Sequence, residues 1–130
     1  MSDAPTPAQR PFAGKLHVPS AILASWPLPP ELILAGNPRT SGSVLAKSPD
    51  GCIVRGLWDC TPGSFRWTWD YDETVFVLSG RATVALQDGR VIELTPGDMA
   101  FFARGQGSVW TVHERFRKGF HADSPVPLPF

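Results

Sequence analysis

The chain has 130 residues, 42% of them hydrophobic, with 12 basic and 12 acidic side chains. This length suits one domain with one core. A net charge of zero gives no field that would attract nucleic acid or an acidic membrane, and no apolar stretch approaches the ~18–20 residues of a membrane span. We therefore expect one soluble domain with neither nucleic acid nor membrane as a partner.

Proline placement divides the chain into three parts. Nine of the 14 prolines lie in the first 50 residues and three in the last six. Since proline removes a donor from a sheet ladder, continuous sheet is favoured only between these two ends. We predict a Pro-rich N-terminal arm over residues 1–42, a β-domain over 43–122 and a Pro-rich C-terminal tail over 123–130. The start lacks a basic segment followed by an apolar run, so no secretory signal is expected.

The arm is predicted to be extended or disordered to about residue 25. Pro29, Pro30 and Glu31 favour one short helix through Leu34 that ends near Gly36, because proline suits the first helical turn and glycine the exit. A short strand is the alternative. Apolar side chains of the arm would form exposed surface unless the arm packs over the domain edge. These side chains are Trp26, Leu28, Ile33 and Leu34.

Between residues 43 and 122, short apolar segments alternate with turn signals every 8–12 residues. Strands are predicted near 43–47, 52–59, 64–69, 74–78, 81–87, 90–94, 99–103, 107–113 and 116–121. Asp88-Gly89, which lies between two alternating segments, predicts a two-residue hairpin turn. Many short strands without an internal repeat or a helical period indicate a closed all-β sandwich or barrel.

Two blocks of sequence carry a family resemblance. Residues 63–80 (GSFRWTWDYDETVFVLSG) place six residues between Glu73 and Gly80, as the first cupin motif does, and residues 97–105 (GDMAFFARG) follow the layout of the second. With residues 56–63 (GLWDCTPG), the chain resembles small single-domain cupins related to (S)-ureidoglycine aminohydrolase over about residues 51–121. The resemblance implies a double-stranded β-helix, the cupin jelly roll. It also implies a homodimer, to which the arm would contribute contacts through Trp26, Ile33 and Leu34.

The same resemblance identifies the positions that bind a metal in cupins. The two histidines of the first motif fall on Trp67 and Trp69, and the histidine of the second motif falls on Ser108, so only Glu73 remains of four ligands. An indole offers no lone pair to a metal, and a neutral serine is a poor ligand for a divalent transition ion. We expect neither a metal nor another cofactor.

Strand alternation predicts what lines the barrel in place of a metal. Phe65, Trp67 and Trp69 share one face of their strand, which the resemblance directs inward together with Glu73. The predicted ligand pocket consists of Phe65, Trp67, Trp69, Glu73, Ser108 and Trp110. Such a pocket suits a flat or cationic small molecule. As alternatives, the tryptophans fill the core completely, and Glu73 is neutralised by a partner such as Lys118 or Arg81.

Two functions follow from this pattern. The favoured one is a cupin that binds a small molecule in an aromatic pocket without a metal. The alternative is an enzyme of the ureidoglycine aminohydrolase-like or sugar-modifying type, in which Glu73 is the catalytic acid or base and a second titratable group assists it. Cys52 and Cys60 fit no zinc-ligand spacing, and as reduced thiols they favour a cytoplasmic location.

Overall fold

The computed structural model describes residues 13–130, which are built from antiparallel β-strands. The strands are β1 (Ala24–Ser25), β2 (Ile33–Gly36), β3 (Thr40–Lys47), β4 (Ile53–Cys60), β5 (Gly63–Thr68), β6 (Asp72–Leu86), β7 (Val91–Leu94), β8 (Met99–Phe102) and β9 (Gly107–Asp123). Single 3-10 turns occur at Val18–Ser20 and Pro30–Leu32. The predicted all-β class is confirmed. Within residues 13–130, no helix has the length and apolar character needed to cross a bilayer.

Strands β6 and β9 form the spine of the fold. They pair with each other along nearly their whole length, from Asp72↔Asp123 to Leu86↔Ser108. The other edge of β9 pairs first with β5 and then with β4, so one strand joins both halves of the sheet. β3 and β1 continue the sheet beyond β4, and β2 continues it beyond β5, while β7 and β8 pair with the far edge of β6. The sheet curls into a cupin jelly roll.

Each of the two spine strands was predicted as two separate strands. The structure has one strand where 74–78 and 81–87 were expected, and one where 107–113 and 116–121 were expected. The register of β6 against β9 shifts on both sides of Ser79. Gly80 has φ +84°, and a Cβ at this position would lie 2.0 Å from the Arg115 carbonyl oxygen. The glycine between the two predicted strands 74–78 and 81–87 therefore marks a bulge within a continuous strand, not a chain reversal.

The hairpin between β6 and β7 also differs in detail from its prediction. Leu86 N–H donates to the Arg90 carbonyl oxygen at 2.8 Å, which leaves a three-residue loop of Gln87, Asp88 and Gly89. Gly89 has φ +96°, the left-handed conformation that ends such loops. The turn is therefore in the predicted place but one residue longer than expected.

The N-terminal arm partly follows its predictions. Residues 1–12 lie outside the described part of the chain. Pro30–Leu32 form a 3-10 turn and Ile33–Gly36 form a strand, so the two alternatives each describe part of the segment. Trp26 and Leu28 pack against the barrel core as expected. Leu34 does not, because 51% of its surface stays exposed.

Candidate functional site

A cavity of about 430 Å³ lies between the barrel interior and the segments that cross its mouth. Its walls are mainly aromatic: Trp26, Trp58, Phe65, Trp67, Trp69, Tyr71, Trp110, Phe120 and Phe130. The charged side chains among its lining residues are Glu73 and Lys118. The cavity therefore combines a large apolar surface with one acid and one base.

Five of the six residues predicted for the pocket line this cavity together: Phe65, Trp67, Trp69, Glu73 and Trp110. Ser108 is not among the lining residues, and its hydroxyl donates to the Trp67 carbonyl oxygen at 2.8 Å. This bond joins β5 to β9 at the position where the cupin motif has a histidine. Ser108 thus braces the wall of the cavity through this bond.

Aromatic stacking holds the walls in place. Phe65 and Trp110 lie opposite each other on β5 and β9, and their rings stack at 6.0 Å with an interplanar angle of 8°. Trp69 stacks on Phe102 at 4.3 Å. Trp67 is only partly buried. These rings serve as core packing on one side and as cavity wall on the other, so the tryptophans do not fill the barrel.

Glu73 forms a buried ion pair with Lys118 inside the barrel. Lys118 Nζ donates to Glu73 Oε2 at 2.9 Å, and the two side chains are only 6% and 5% exposed. Trp69 Nε1 donates to Glu73 Oε1 at 2.8 Å. Both carboxylate oxygens therefore have a donor, which offsets part of the cost of burying the charge. Of the two partners considered from sequence, Lys118 forms the pair, while Arg81 is exposed at the bulge.

The Lys118 ammonium also lies over two indole faces. Its nitrogen is 4.6 Å from the centroid of the Trp58 ring and 5.1 Å from that of Trp110. Such contacts are worth about 0.5–2 kcal/mol each when they are desolvated. The cation of the site is thus a side chain of the protein, held by one carboxylate and two aromatic rings.

Among the described residues, one buried polar atom of a cavity-lining side chain has no partner. Trp110 is 2% exposed, and its Nε1 has no acceptor among the described residues. An unpaired buried donor costs about 1–3 kcal/mol and calls for an explanation such as a bound water or ligand. Trp69, the other fully buried indole of the cavity, has its N–H satisfied by Glu73.

The mouth of the cavity is crossed by both ends of the described chain. Trp26 of the arm stacks on Phe130 of the tail, with ring centroids 5.3 Å apart. The Thr40 hydroxyl donates to the Trp26 carbonyl oxygen, and Lys47 donates to the carbonyl oxygen of Phe130. No local pattern in the sequence indicates that Trp26 and Phe130 share a site.

The residues at the cupin ligand positions do not fit a metal ion. Trp67 and Trp69 have no lone pair to offer, and the Ser108 hydroxyl is engaged with backbone. The Glu73 oxygens already accept from Lys118 and Trp69, and the ammonium would repel a divalent cation at this distance. Among residues 13–130, no group of three His, Cys, Asp or Glu side chains lies close enough to bind a metal.

Burial changes the acid–base behaviour of two groups near the cavity. It raises the pKa of the Tyr71 hydroxyl above its ordinary value of 10.0, and the nearby Glu73 carboxylate raises it further. Burial likewise raises the pKa of the Cys60 thiol to about 12, with Asp59 adding to the effect. Tyr71 is therefore a neutral hydroxyl at the cavity wall, and Cys60 is a neutral thiol.

A second buried carboxylate lies on the opposite side of β4 and faces out of the barrel. Asp59 accepts from Arg115 Nε at 2.9 Å and from Arg117 Nε at 3.0 Å. Arg117 also donates to the Val18 carbonyl oxygen at 2.6 Å, which attaches the arm to the sheet. Cys60 and Asp59 are neighbours in sequence but lie on opposite faces, as alternation requires.

Comparison with known proteins identifies the class of this fold. Residues 47–120 match the EutQ-like cupin domain family, so the chain belongs to that family. A search of curated proteins finds no significant match. The relationship to ureidoglycine aminohydrolase that the sequence resemblance implied is not among these findings.

Solved structures agree on the fold. The chain is similar to a protein of unknown function from Pseudomonas syringae pv. tomato, with 24% identity, a TM-score of 0.73, and coverage of 79% of this chain but only 45% of that one. It is similar to Clostridium difficile EutQ, with 18% identity, a TM-score of 0.66, and coverage of 85% and 86%. It is also similar to ectoine synthase from P. lautus, with 16% identity, a TM-score of 0.59, and coverage of 68% and 66%. At such identities the likeness concerns the jelly roll alone.

Some cavity residues could have been found from the sequence. Lys118 and Trp110 are separated by an even number of positions on β9. Because side chains alternate between the two faces of a strand, both would have been placed on the inward face if β9 had been predicted as one continuous strand. Trp58 faces inward on β4 by the same reasoning. Phe130 gives no such signal, because its place at the mouth depends on how the tail returns over the barrel.

Proposed function

We propose that this cupin binds a small, flat organic molecule in the aromatic cavity and does so without a metal. The observation that carries the proposal is the cavity itself: about 430 Å³ of space at the cupin ligand position, walled by aromatic rings. Ligand pockets commonly have volumes of about 300–1,000 Å³, apolar walls and a few polar groups. The buried Glu73–Lys118 pair supplies the charged groups of this site.

The proposal includes no metal because the carboxylate of Glu73 is already bonded to a positively charged side chain. Lys118 brings a positive charge to the one carboxylate that remains of the cupin ligand set. An ion would have to displace this ammonium and would gain a single carboxylate in return. Burial strengthens the existing pair, since the effective dielectric constant inside a barrel is far below that of water.

Binding can be tested by titrating metal-stripped protein in EDTA. A panel of aromatic amides, acids and amines, with ureides and monosaccharides, would be followed by tryptophan fluorescence and by the shift in thermal midpoint. We expect at least one flat compound to give saturable 1:1 quenching and a higher midpoint. A panel without any saturable response, or a response only after metal is added, would contradict the proposal.

The chain offers a matched pair of control variants. Phe130 lines the cavity mouth, whereas Phe76 lies on the outer surface of β6 and is 45% exposed. Phe130→Ala should weaken binding, because it removes a ring from the site. Phe76→Ala makes the same chemical change elsewhere and should leave the affinity unaltered.

A metal-free enzyme is the second candidate, and one observation favours it. Proton transfer at neutral pH needs two titratable groups near the substrate, and Glu73 and Lys118 lie 2.9 Å apart beside the cavity. In this alternative, Glu73 is the acid or base for a ureide or a sugar, in the manner of the aminohydrolase-like or sugar-modifying cupins. Glu73→Gln should then abolish turnover in EDTA while binding persists. Turnover that survives this substitution would exclude the alternative.

Two further expectations belong to the proposal. A cytoplasmic location agrees with two cysteines that form no disulfide. A homodimer stays a prediction, and sedimentation velocity at micromolar concentration tests it. Because Trp26 packs on the barrel of its own chain, the part of the arm best able to contribute to a dimer is the exposed Leu34. Leu34→Ser should weaken the dimer if the arm takes part.

A further inference from the structure

We propose that Lys118 forms a reversible imine with a flat aromatic aldehyde bound in the cavity, and that Glu73 carries the proton for this step. This inference rests on the proposed binding function and names a ligand class and a covalent step for the same site. The observation that carries it is a primary amine in an aromatic cavity, since Lys118 is among the lining residues. The other two lysines of the chain, Lys15 and Lys47, are exposed.

The amine of Lys118 lies at the border of the cavity. Lys118 alternates with the buried Phe116 and Phe120 on β9, so its side chain points into the barrel. That side chain is 6% exposed, and because it points inward, the exposed part faces the cavity that it lines. The flexible four-carbon stem of a lysine lets the nitrogen turn from its carboxylate partner toward a ligand. A carbonyl carbon between the aromatic walls can therefore meet this amine.

Glu73 is placed to make this amine a nucleophile. An ammonium has no lone pair, so it must lose a proton before it can attack a carbonyl carbon. Glu73 Oε2 lies 2.9 Å from the nitrogen and can accept that proton, while Oε1 already accepts from Trp69 Nε1 at 2.8 Å. The transfer converts a buried ion pair into two neutral groups, which removes the cost of keeping both charges out of water. The desolvated site thus makes the lone pair easier to free than it is on an exposed lysine.

The step conserves atoms and charge. The ammonium passes one proton to Glu73, and the freed lone pair forms a bond to the aldehyde carbon. A second proton moves from the nitrogen to the former carbonyl oxygen, which gives a carbinolamine. Glu73 returns its proton to that oxygen, and the C–O bond breaks so that water leaves with the bonding pair. The nitrogen lone pair then forms the C=N bond, and the products are a protonated imine and one water.

The site already stabilises the charge that the product carries. A protonated imine keeps one positive charge on the same nitrogen, which lies 4.6 Å from the ring centre of Trp58 and 5.1 Å from that of Trp110. Glu73 regains its negative charge and remains the counter-ion. An aromatic ring conjugated with the C=N bond is flat, so it can stack on the aromatic walls. Apolar walls also exclude the water that would hydrolyse the imine.

Reductive trapping tests the imine directly. Metal-stripped protein in EDTA would be incubated with stoichiometric 2-naphthaldehyde and sodium cyanoborohydride, then analysed by intact mass and by peptide mapping. We expect one naphthylmethyl group per chain, on Lys118, formed at least about tenfold faster than any modification of Lys15 or Lys47. Naphthalene-2-carboxamide has nearly the same shape but forms no imine. It should slow the labelling of Lys118 and leave that of Lys15 unchanged.

Two Lys→Arg variants provide the matched control. Lys118→Arg keeps a positive charge beside Glu73 and removes the amine, so trapping should fall to the rate of the exposed lysines. Lys15→Arg makes the same change at an exposed position of the arm and should leave the labelling of Lys118 unaltered. Peptide mapping of wild-type protein compares the three lysines within one molecule, so this readout does not depend on either variant folding well.

The possible outcomes separate this inference from the function on which it rests. Saturable quenching of tryptophan fluorescence by naphthalene-2-carboxamide measures binding without chemistry. If the carboxamide binds but the aldehyde is not trapped on Lys118, the cavity is a binding site and the imine is wrong. The imine is likewise wrong if Lys15 and Lys47 are labelled as fast as Lys118, or if the carboxamide does not slow the labelling of Lys118. If neither compound binds, the binding function itself fails and the inference fails with it.

Discussion

Two buried carboxylates, Glu73 on β6 inside the barrel and Asp59 on the outer face of β4, have different surroundings. Inside the barrel, Glu73 and Lys118 are both almost fully buried, and their pair borders a cavity. On the outside, Asp59 is 3% exposed, but Arg115 is 65% exposed and Arg117 attaches to the arm. Both carboxylates are paired, as buried charges must be. The inner pair borders the aromatic cavity of about 430 Å³, whereas the outer cluster borders a space of about 340 Å³ that is also lined by Val18 and Pro19 of the arm.

This difference shows two uses of a buried carboxylate in one barrel. The outer cluster uses its hydrogen bonds to attach one part of the chain to another. The inner pair places the Lys118 ammonium of β9 beside Glu73, at the border of the aromatic cavity. The following predictions compare the two clusters or the two sides of the barrel wall.

The largest effect is expected from breaking the inner pair. Lys118→Met leaves the Glu73 carboxylate buried without its counter-charge, which should lower the free energy of unfolding by about 3–5 kcal/mol. Arg115→Met removes a mostly exposed partner of Asp59 while Arg117 remains, so it should cost less than about 1 kcal/mol. Urea unfolding at pH 7 measures both values.

A double variant shows whether the cost comes from the unpaired charge. Glu73→Gln combined with Lys118→Met removes both charges and should recover much of the lost stability. Equal losses for Lys118→Met and Arg115→Met would mean that the two clusters do not differ as described.

The next effect concerns pH and the inward face of β4. Because the pKa of Cys60 rises from 9.0 to about 12 on folding, the folded chain keeps this proton at a pH where the unfolded chain loses it. Stability from this group is complete well below pH 9, begins to fall near pH 9, and falls by about 1.4 kcal/mol per pH unit between about pH 10 and 12. Unfolding free energies at pH 9 and 10 should differ by about 1 kcal/mol for this reason.

Cys60→Ala provides the control for the pH slope. The substitution changes absolute stability, but it should make the fall between pH 9 and 10 clearly smaller, with a residual slope from Tyr71 and Cys52, whose pKa values are also raised on folding. If the unfolding free energy of Cys60→Ala depends on pH as steeply as that of the wild type, the Cys60 thiol is not buried away from water as described.

A smaller, local effect is expected on the outer face. Arg117→Ala removes the donor to the Val18 carbonyl oxygen and one of two partners of Asp59. It should lower global stability by about 1 kcal/mol. The segment around residues 13–20 should become much more sensitive to limited proteolysis, whereas Arg115→Ala should leave that segment as protected as in wild type. Equal cleavage of the two variants would show that Arg117 does not hold the arm.

The smallest effect is expected from removing metal. Dialysis against EDTA should leave the thermal midpoint unchanged, because no bound ion contributes to the stability of the folded state. Elemental analysis of protein purified without chelator provides the direct measurement. Near-equimolar manganese, iron, nickel or zinc that survives dialysis and is lost in Glu73→Gln would overturn the metal-free site.

The sequence predicted the fold better than the continuity of its strands. Alternation and turn residues indicate an all-β barrel, and the two glycine-containing blocks identify a cupin. A glycine in the sequence does not distinguish a β-bulge from a turn, since both can need a positive φ. For this reason the sequence predicts a turn at Gly80, where the structure has a bulge. The distinction depends on whether β9 runs past Arg115 on the other side, which is a tertiary property.

For the site, the sequence predicted residues that line the inner walls of the cavity, but it did not predict the residues that cross its mouth. Phe65, Trp67 and Trp69 follow from two-residue alternation on a single strand. The pair of Glu73 with Lys118 joins residues 45 positions apart, so alternation could offer candidates but could not choose between Lys118 and Arg81. The stack of Trp26 on Phe130 joins the arm to the tail, and no local pattern encodes such a contact.

The most direct test of metal-free binding in the inner cavity is a crystal structure grown in EDTA and soaked with naphthalene-2-carboxamide. The account predicts density for the naphthalene ring between the aromatic walls of the cavity. Lys118 should still contact Glu73 in that structure. A cavity closed by the side chains themselves, a probe bound only elsewhere on the surface, or a metal ion retained beside Glu73 would contradict the account.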